Sequence, residues 1–269
     1  MRKHLPLVLQ LVLLGALIAL GLWLAHNVGV NLKARNLASG FGFLDKTAGF
    51  QISQSLIPYS ERSTYGRVLL VGLLNTLVVS CIGIVLATLI GFAVGLASRS
   101  ANALLAGLAT VYVETLRNIP LLLQLFFWYF AVLRPLPGPQ DAIDIFGLGD
   151  LSNRGLQLCA ASCPVLGRFN FEGGIAVRPE FLALLVALST YTAAFIAEIV
   201  RAGLAAVPKG QREAAEALGL MPGQALWLVI IPQALRVIIP LLAGQYLNLI
   251  KNSSLAVAIA FPDLVSVFA

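Results

Sequence analysis

Polar and apolar positions in this chain fall in long blocks. Residues 5–25, 68–97, 103–133, 180–206 and 225–250 are apolar runs nearly free of charge, separated by mixed or basic segments. At ~1.5 Å per residue, about 20 apolar residues wound as a helix cross a ~30 Å hydrocarbon layer, so each run predicts a membrane span. The first follows Arg2, Lys3 and His4. A basic head before an apolar stretch also describes a signal peptide, but this stretch exceeds the usual apolar core of one, so residues 1–25 read as a retained helix. Positive charge in short loops favours the cytoplasm. The basic head and the short loops with Arg99 and Lys209 therefore place residues 98–102 and 207–224 inside, and 26–67 and 134–179 outside.

Finer features lie on this frame. Gly83, Ala87, Gly91 and Gly95 recur every fourth residue, a small-residue stripe suited either to an interface with another chain or to packing within this one. In the third run Pro120 interrupts the helix just after Glu114 and Arg117, which stand three apart on one face. Glu198 and Arg201 repeat that spacing at the end of the fourth run. Residues 134–178 hold Pro135, Pro137, Pro139 and paired Gly173 and Gly174, and read as a loop. On the outside, Cys159 and Cys163 stand where a disulfide forms in an oxidising compartment; two reduced thiols on one helix face is the other reading. Cys81 falls inside a span and is expected to be buried and inert.

Composition narrows the class. Hydrophobic residues make up 59% of the chain and charged ones 11%, which excludes an ordinary soluble globular domain. The net charge of +6 is scattered between apolar runs and forms no basic stripe, so nucleic acid is not an expected partner, whereas membrane lipid is. Two histidines, His4 and His26, leave no metal cluster and no histidine-based triad. No phosphate-binding loop of the form G-x-x-x-x-G-K-[ST] is present, so any ATP is hydrolysed by another chain.

The stretch QREAAEALGLMPGQALWLVIIP, residues 211–232, carries the most specific pattern. Strong helix formers predict a helix over 211–218, Gly219 is placed to end it, and Pro222 follows. Arg212, Glu213 and Glu216 lie to one side and leave Ala214, Ala217, Leu218 and Leu220 for contact. A helix this short is marginal alone and requires a partner surface. Glu213-Ala214-Ala215, three residues, Gly219, nine residues and then Val229 to Pro232 resembles the EAA loop of ABC-importer permeases. Arg117, Pro120 and Gln124 in YVETLRNIPLLLQLFF, the run YTAAFIAEIVRAGLAAVPKGQ and the run PQALRVIIP extend the resemblance to the polar amino acid permeases of the histidine and glutamine type. The segment from Ala38 through Tyr65 is similar, more narrowly, to the general L-amino acid permeases.

This resemblance implies an all-α type I importer transmembrane domain with about five spans present, occupying 68–269 after the 1–25 helix and the 26–67 periplasmic segment. Family members have one further span. It also implies a multi-pass subunit of the bacterial inner membrane that imports L-amino acids without catalysing covalent chemistry. Expected partners are a cytoplasmic ATPase dimer that binds ATP and magnesium, a second homologous permease and a periplasmic amino acid-binding protein. Glu213, Ala214, Ala215, Gly219 and Pro232 would couple to the ATPase. Gln124 and the segment Lys251, Asn252, Ser253 and Ser254 are candidates for the translocation path; a Lys251 that merely reaches the outer interface is the plainer reading. An ion-coupled transporter without an ATPase is the alternative class, for which Glu114 and Glu198 would be the intramembrane carboxylates.

Overall fold

A computed structural model describes residues 5–34, 41–159, 163–167 and 171–268. Arg2, Lys3 and His4, the start of the Ala38 segment and Ala269 lie outside the described residues.

The chain divides into two units. The first comprises residues up to Gln51 together with Ser60–Val68. Its helix α1 runs Leu5–Ala34, past the Ala25 boundary expected from hydropathy. The run after His26 still alternates valines with small and polar residues and contains no proline, so nothing breaks the ladder there. A 3-10 turn at Phe41–Asp45 follows. Phe43 and Phe50 meet the Tyr65 ring edge-on, and Tyr65 N–H donates to the Lys46 carbonyl at 3.0 Å.

The second unit holds Ile52–Tyr59 and Leu69–Ala269. Helix α2 spans Tyr65–Ala97 and α3 spans Ala103–Asn118, which starts where the Asn102 carboxamide accepts the N–H groups of Leu104 and Leu105. The third run then breaks at Pro120. Helix α4, Leu121–Phe126, continues as a wider π-type turn over Phe127–Leu133, and the two halves meet at 103°. Among the described residues four helices are long and apolar enough to cross a membrane, or five if this bent pair is one span.

Helix α5, Pro179–Ala205, is the hub. Ala183, Leu184, Ala187, Leu188, Ala193, Ile196 and Val200 are all essentially inaccessible along it. The small-residue stripe of α2 packs within this chain. A Cβ built on Gly91 would lie 2.6 Å from Ile196 Cβ, and one on Gly95 2.6 Å from Val200 Cβ, so α2 approaches α5 closer than any side chain permits. On the far side, Gly203 admits Ile238 of helix α8, Ile231–Asn252. A 3-10 segment, Ser253–Ile259, leads to a tail folded back on α2. There Asn75 donates to the Gln54 and Pro262 carbonyls, each at 2.9 Å, and Leu264 N–H donates to Thr76 Oγ1.

The expectation of a loop over 134–178 is corrected. This segment builds an antiparallel sheet from β1 (Ile143–Asp144), β2 (Gly149–Ser152), β3 (Gly155–Leu158) and β6 (Ile175–Val177), with β4 (Val165–Leu166) paired to β5 (Phe171–Glu172). Its strands have two to four residues, too short for a period-two pattern to register. Cys159 and Cys163 are joined in a disulfide beside β3. Cys81 is exposed on α2 rather than buried, because the helix turns only its glycine face towards α5.

Candidate functional site

Helix α6, Lys209–Ala217, starts on Pro208 and ends at Leu218. Gly219 has φ +83°, a conformation that glycine adopts without steric cost. Its N–H donates to the Glu216 carbonyl at 2.9 Å, and Leu220 N–H reaches back to the Ala215 carbonyl at 3.1 Å. These two bonds form a Schellman cap, which satisfies carbonyls that the helix end leaves free. Arg212 Nε donates to Glu216 Oε1 at 3.0 Å across one turn, and Gln233 of α8 donates to Gln211 Oε1 at 3.1 Å.

The residues expected to be left for contact with a partner, Ala214, Ala217 and Leu218, are open, and Leu220 is half-buried. Ala215 is the residue turned inward, 3% exposed, whereas Glu213, Ala214, Ala217 and Leu218 are all open. The inward face is set by packing against the following segment, which sequence spacing does not reveal. That segment is α7, Pro222–Ala225, where the Gln224 side chain accepts Met221 N–H, followed by a π turn over Leu226–Ile230. Ile231 N–H bonds back to the Leu226 carbonyl, the wide turn that admits Pro232 at the start of α8. Leu218 and Met221 remain 84% and 70% exposed, an apolar tip beside an acidic side chain.

The charged pairs behind this loop separate. Arg201 donates to both carboxylate oxygens of Glu198, a bidentate pair. Glu114 and Arg117 do not pair; the Arg117 guanidinium lies over the Phe195 ring, 5.2 Å from its centroid. Glu198 is thus committed to an arginine, which removes the motive for assigning it as an ion-coupling carboxylate.

The candidate path residues do not converge. Gln124 is 5% exposed, and its amide donates to the Leu116 and Ile119 carbonyls at 2.8 and 3.0 Å. These are carbonyls that the Pro120 break leaves without helical partners, so the Gln124 amide nitrogen staples the bend. Lys251 is exposed at the end of α8, Ser253 is buried, and Ser253 and Ser254 donate to the carbonyls of Ile250 and Lys251.

Sequence reasoning passes over a second constellation. A cleft at the N-terminal end of α5 gathers Tyr129, Arg134, Arg154, Gln157, Arg178 and Glu180. A signal existed: Arg134 and Arg178 bracket the 134–178 insertion, so closing that insertion brings them together. Among the described residues no group of three or more histidine, cysteine or carboxylate side chains is placed to hold a metal.

Residues 83–268 match the family model described as "Binding-protein-dependent transport system inner membrane component". The chain is 46% identical to the putative amino-acid ABC transporter permease protein YhdX of Escherichia coli (strain K12), over 97% of this chain and 83% of that one. It is 44% identical to the general L-amino acid transport system permease protein AapQ of Rhizobium johnstonii, over 98% and 82%. Among solved structures it is similar to one titled "Crystal structure of an amino acid ABC transporter with histidines", with a TM-score of 0.55 and 29% identity over 75% of this chain and 76% of that one.

Proposed function

The chain belongs to the family of binding-protein-dependent transport system inner membrane components, and from this we infer that it is the amino-acid-conducting membrane subunit of an ATP-driven importer. It is a multi-pass transport subunit of the inner membrane and not an enzyme. Family membership implies an ATPase and a substrate-binding protein as partners. The observation that carries the coupling mechanism is the geometry of α6. It is a short helix with a small, open Glu213, Ala214 and Ala217 face, locked at one end by the positive-φ Gly219 and tied through Gln211 to Gln233 of α8.

We propose that this face seats in a groove of the ATPase. Closure of an ATPase dimer then pushes α6, and Pro232 and the hydrogen bond to Gln233 pass the displacement into α8. Ala215 supports this from the inside of the joint, by packing. ATP and magnesium are held by the ATPase, and this chain binds neither. Lys251, at the last turn of α8, is retained as a gate residue, with Asn252, Ser253 and Ser254 shaping the helix end around it. The identities to AapQ and YhdX favour a general L-amino acid importer built with a second, homologous permease.

Uptake of radiolabelled L-amino acids into membrane vesicles, with the partner ATPase made hydrolytically inactive, tests the reading. Uptake should fall to background while the permease stays inserted. Continued uptake driven by an ion gradient would replace this reading with that of a secondary transporter.

A further inference from the structure

The end of α5 opposite the coupling helix carries a feature that coupling does not use. Between the sheet of the 134–178 insertion and the last turn of the third span lies a cleft of about 330 Å³, lined by Tyr129, Arg134, Arg154, Gln157, Arg178 and Glu180. That volume is at the small end of the roughly 300–1,000 Å³ typical of ligand pockets, sized for a small molecule rather than for the flat surface of a protein. Three arginines against one glutamate leave two positive charges uncompensated. Among the described residues none of the three guanidinium groups is in an ion pair, since the pairs formed are Arg201 with Glu198 and Arg212 with Glu216. Glu180 accepts the Tyr129 hydroxyl on Oε1 at 2.9 Å, which orients its carboxylate and leaves Oε2 open. Arg134 is held over the Tyr129 ring, 5.6 Å from its centroid, so one tyrosine engages both a cation and a carboxylate of the cleft.

Resting on the importer reading, we propose that this cleft recognises the main-chain end of a free amino acid at the outer face. The guanidinium groups receive the α-carboxylate, for which a planar donor fork is geometrically matched. The free oxygen of Glu180 receives the α-ammonium. The charged groups of the cleft address what all amino acids share, so its charge selects no particular side chain. It holds substrate between release from the binding protein and entry into the helix bundle.

The test uses the purified permease–ATPase complex in lipid nanodiscs without binding protein, titrated with radiolabelled L-glutamine. Saturable binding is expected, displaced by L-glutamate but neither by N-acetyl-L-glutamine nor by L-glutamine α-amide. The double substitution Arg154→Gln and Arg178→Gln should weaken binding by about tenfold or more, as expected for lost charge-assisted bonds. Lysine at both positions should restore part of it, and Glu180→Gln should let N-acetyl-L-glutamine compete. Absence of saturable binding to the unaltered complex, or binding that the double variant leaves unchanged, overturns the proposal. So does a double variant whose one defect is weaker docking of the binding protein, because the arginines would then face a protein surface. ATP hydrolysis stimulated by loaded binding protein is measured on the same preparation. Hydrolysis without cleft binding removes the cleft and leaves the importer; failure to associate with the ATPase removes the importer reading and this inference with it.

Discussion

Gly219 is the residue on which the coupling helix ends. With φ +83° and open space around the position a Cβ would take, the obstacle to substitution is backbone strain, not crowding. A β-branched residue there costs roughly 1 kcal/mol or more. Gly219→Val should leave the protein inserted, since no span contains it, while releasing the Schellman cap and the angle of α6. Co-purification of the ATPase should drop several-fold; unchanged co-purification and uptake would reduce the loop to a connector. Asp263, beyond the last span, supplies a pH-dependent counterpart. Burial raises its carboxyl pKa above the ordinary 3.8, against the opposing pull of backbone N–H groups such as Ser266 N–H at 2.7 Å. Between the ordinary value and the raised one, the folded chain keeps a proton that the unfolded chain has lost. Stability therefore falls as pH rises through that window and levels off above it. The melting temperature of the purified protein should fall as pH rises above the ordinary carboxyl value of 3.8, and Asp263→Asn should flatten that dependence; equal slopes would refute the assignment.

At the scale of elements, helix–helix contact is controlled by single hydrogen atoms. Gly95 lets the α2 backbone rest against Val200 and the Ala197 carbonyl, both within 2.8 Å of where a Cβ would stand. Gly95→Leu must push α2 off α5 and should destabilise by about 1–3 kcal/mol, the usual cost of overpacking. Thermal unfolding in detergent would show this, whereas the same change at Gly107, with nothing within 4 Å, should be nearly silent. At Ala215, 3% exposed, an arginine would likewise be crowded and so make a poor probe of the proposed ATPase contact. It would disrupt the fold of the loop before it disturbed a partner, while Ala217→Arg presents its charge outward.

For the whole molecule, α5 separates two chemistries. The coupling helix leaves its C-terminal end and the arginine-lined sheet covers its N-terminal end, so the two lie on opposite sides of any membrane α5 crosses. The positive charge of the short loops predicts the coupling end inside and residues 26–67 and 134–179 outside. Ser60→Cys should be labelled by an impermeant maleimide in spheroplasts; labelling after lysis alone would reverse the orientation.

The sequence by itself determined the apolar runs of the spans, the break at Pro120 and the helix stop at Gly219. Each of these is a local property, either the transfer energy of a run of side chains or the dihedral demands of one residue. Tertiary structure alone decided which face each element turns inward. The burial of Ala215, the use of the α2 glycine stripe within the chain and the recruitment of Gln124 to stray carbonyls all depend on how the chain packs and not on local spacing. The sheet of the insertion and its arginine cleft belong here as well. Strands of two to four residues have no periodicity to read, and the guanidinium groups share a cleft only because the chain closes on itself between Arg134 and Arg178.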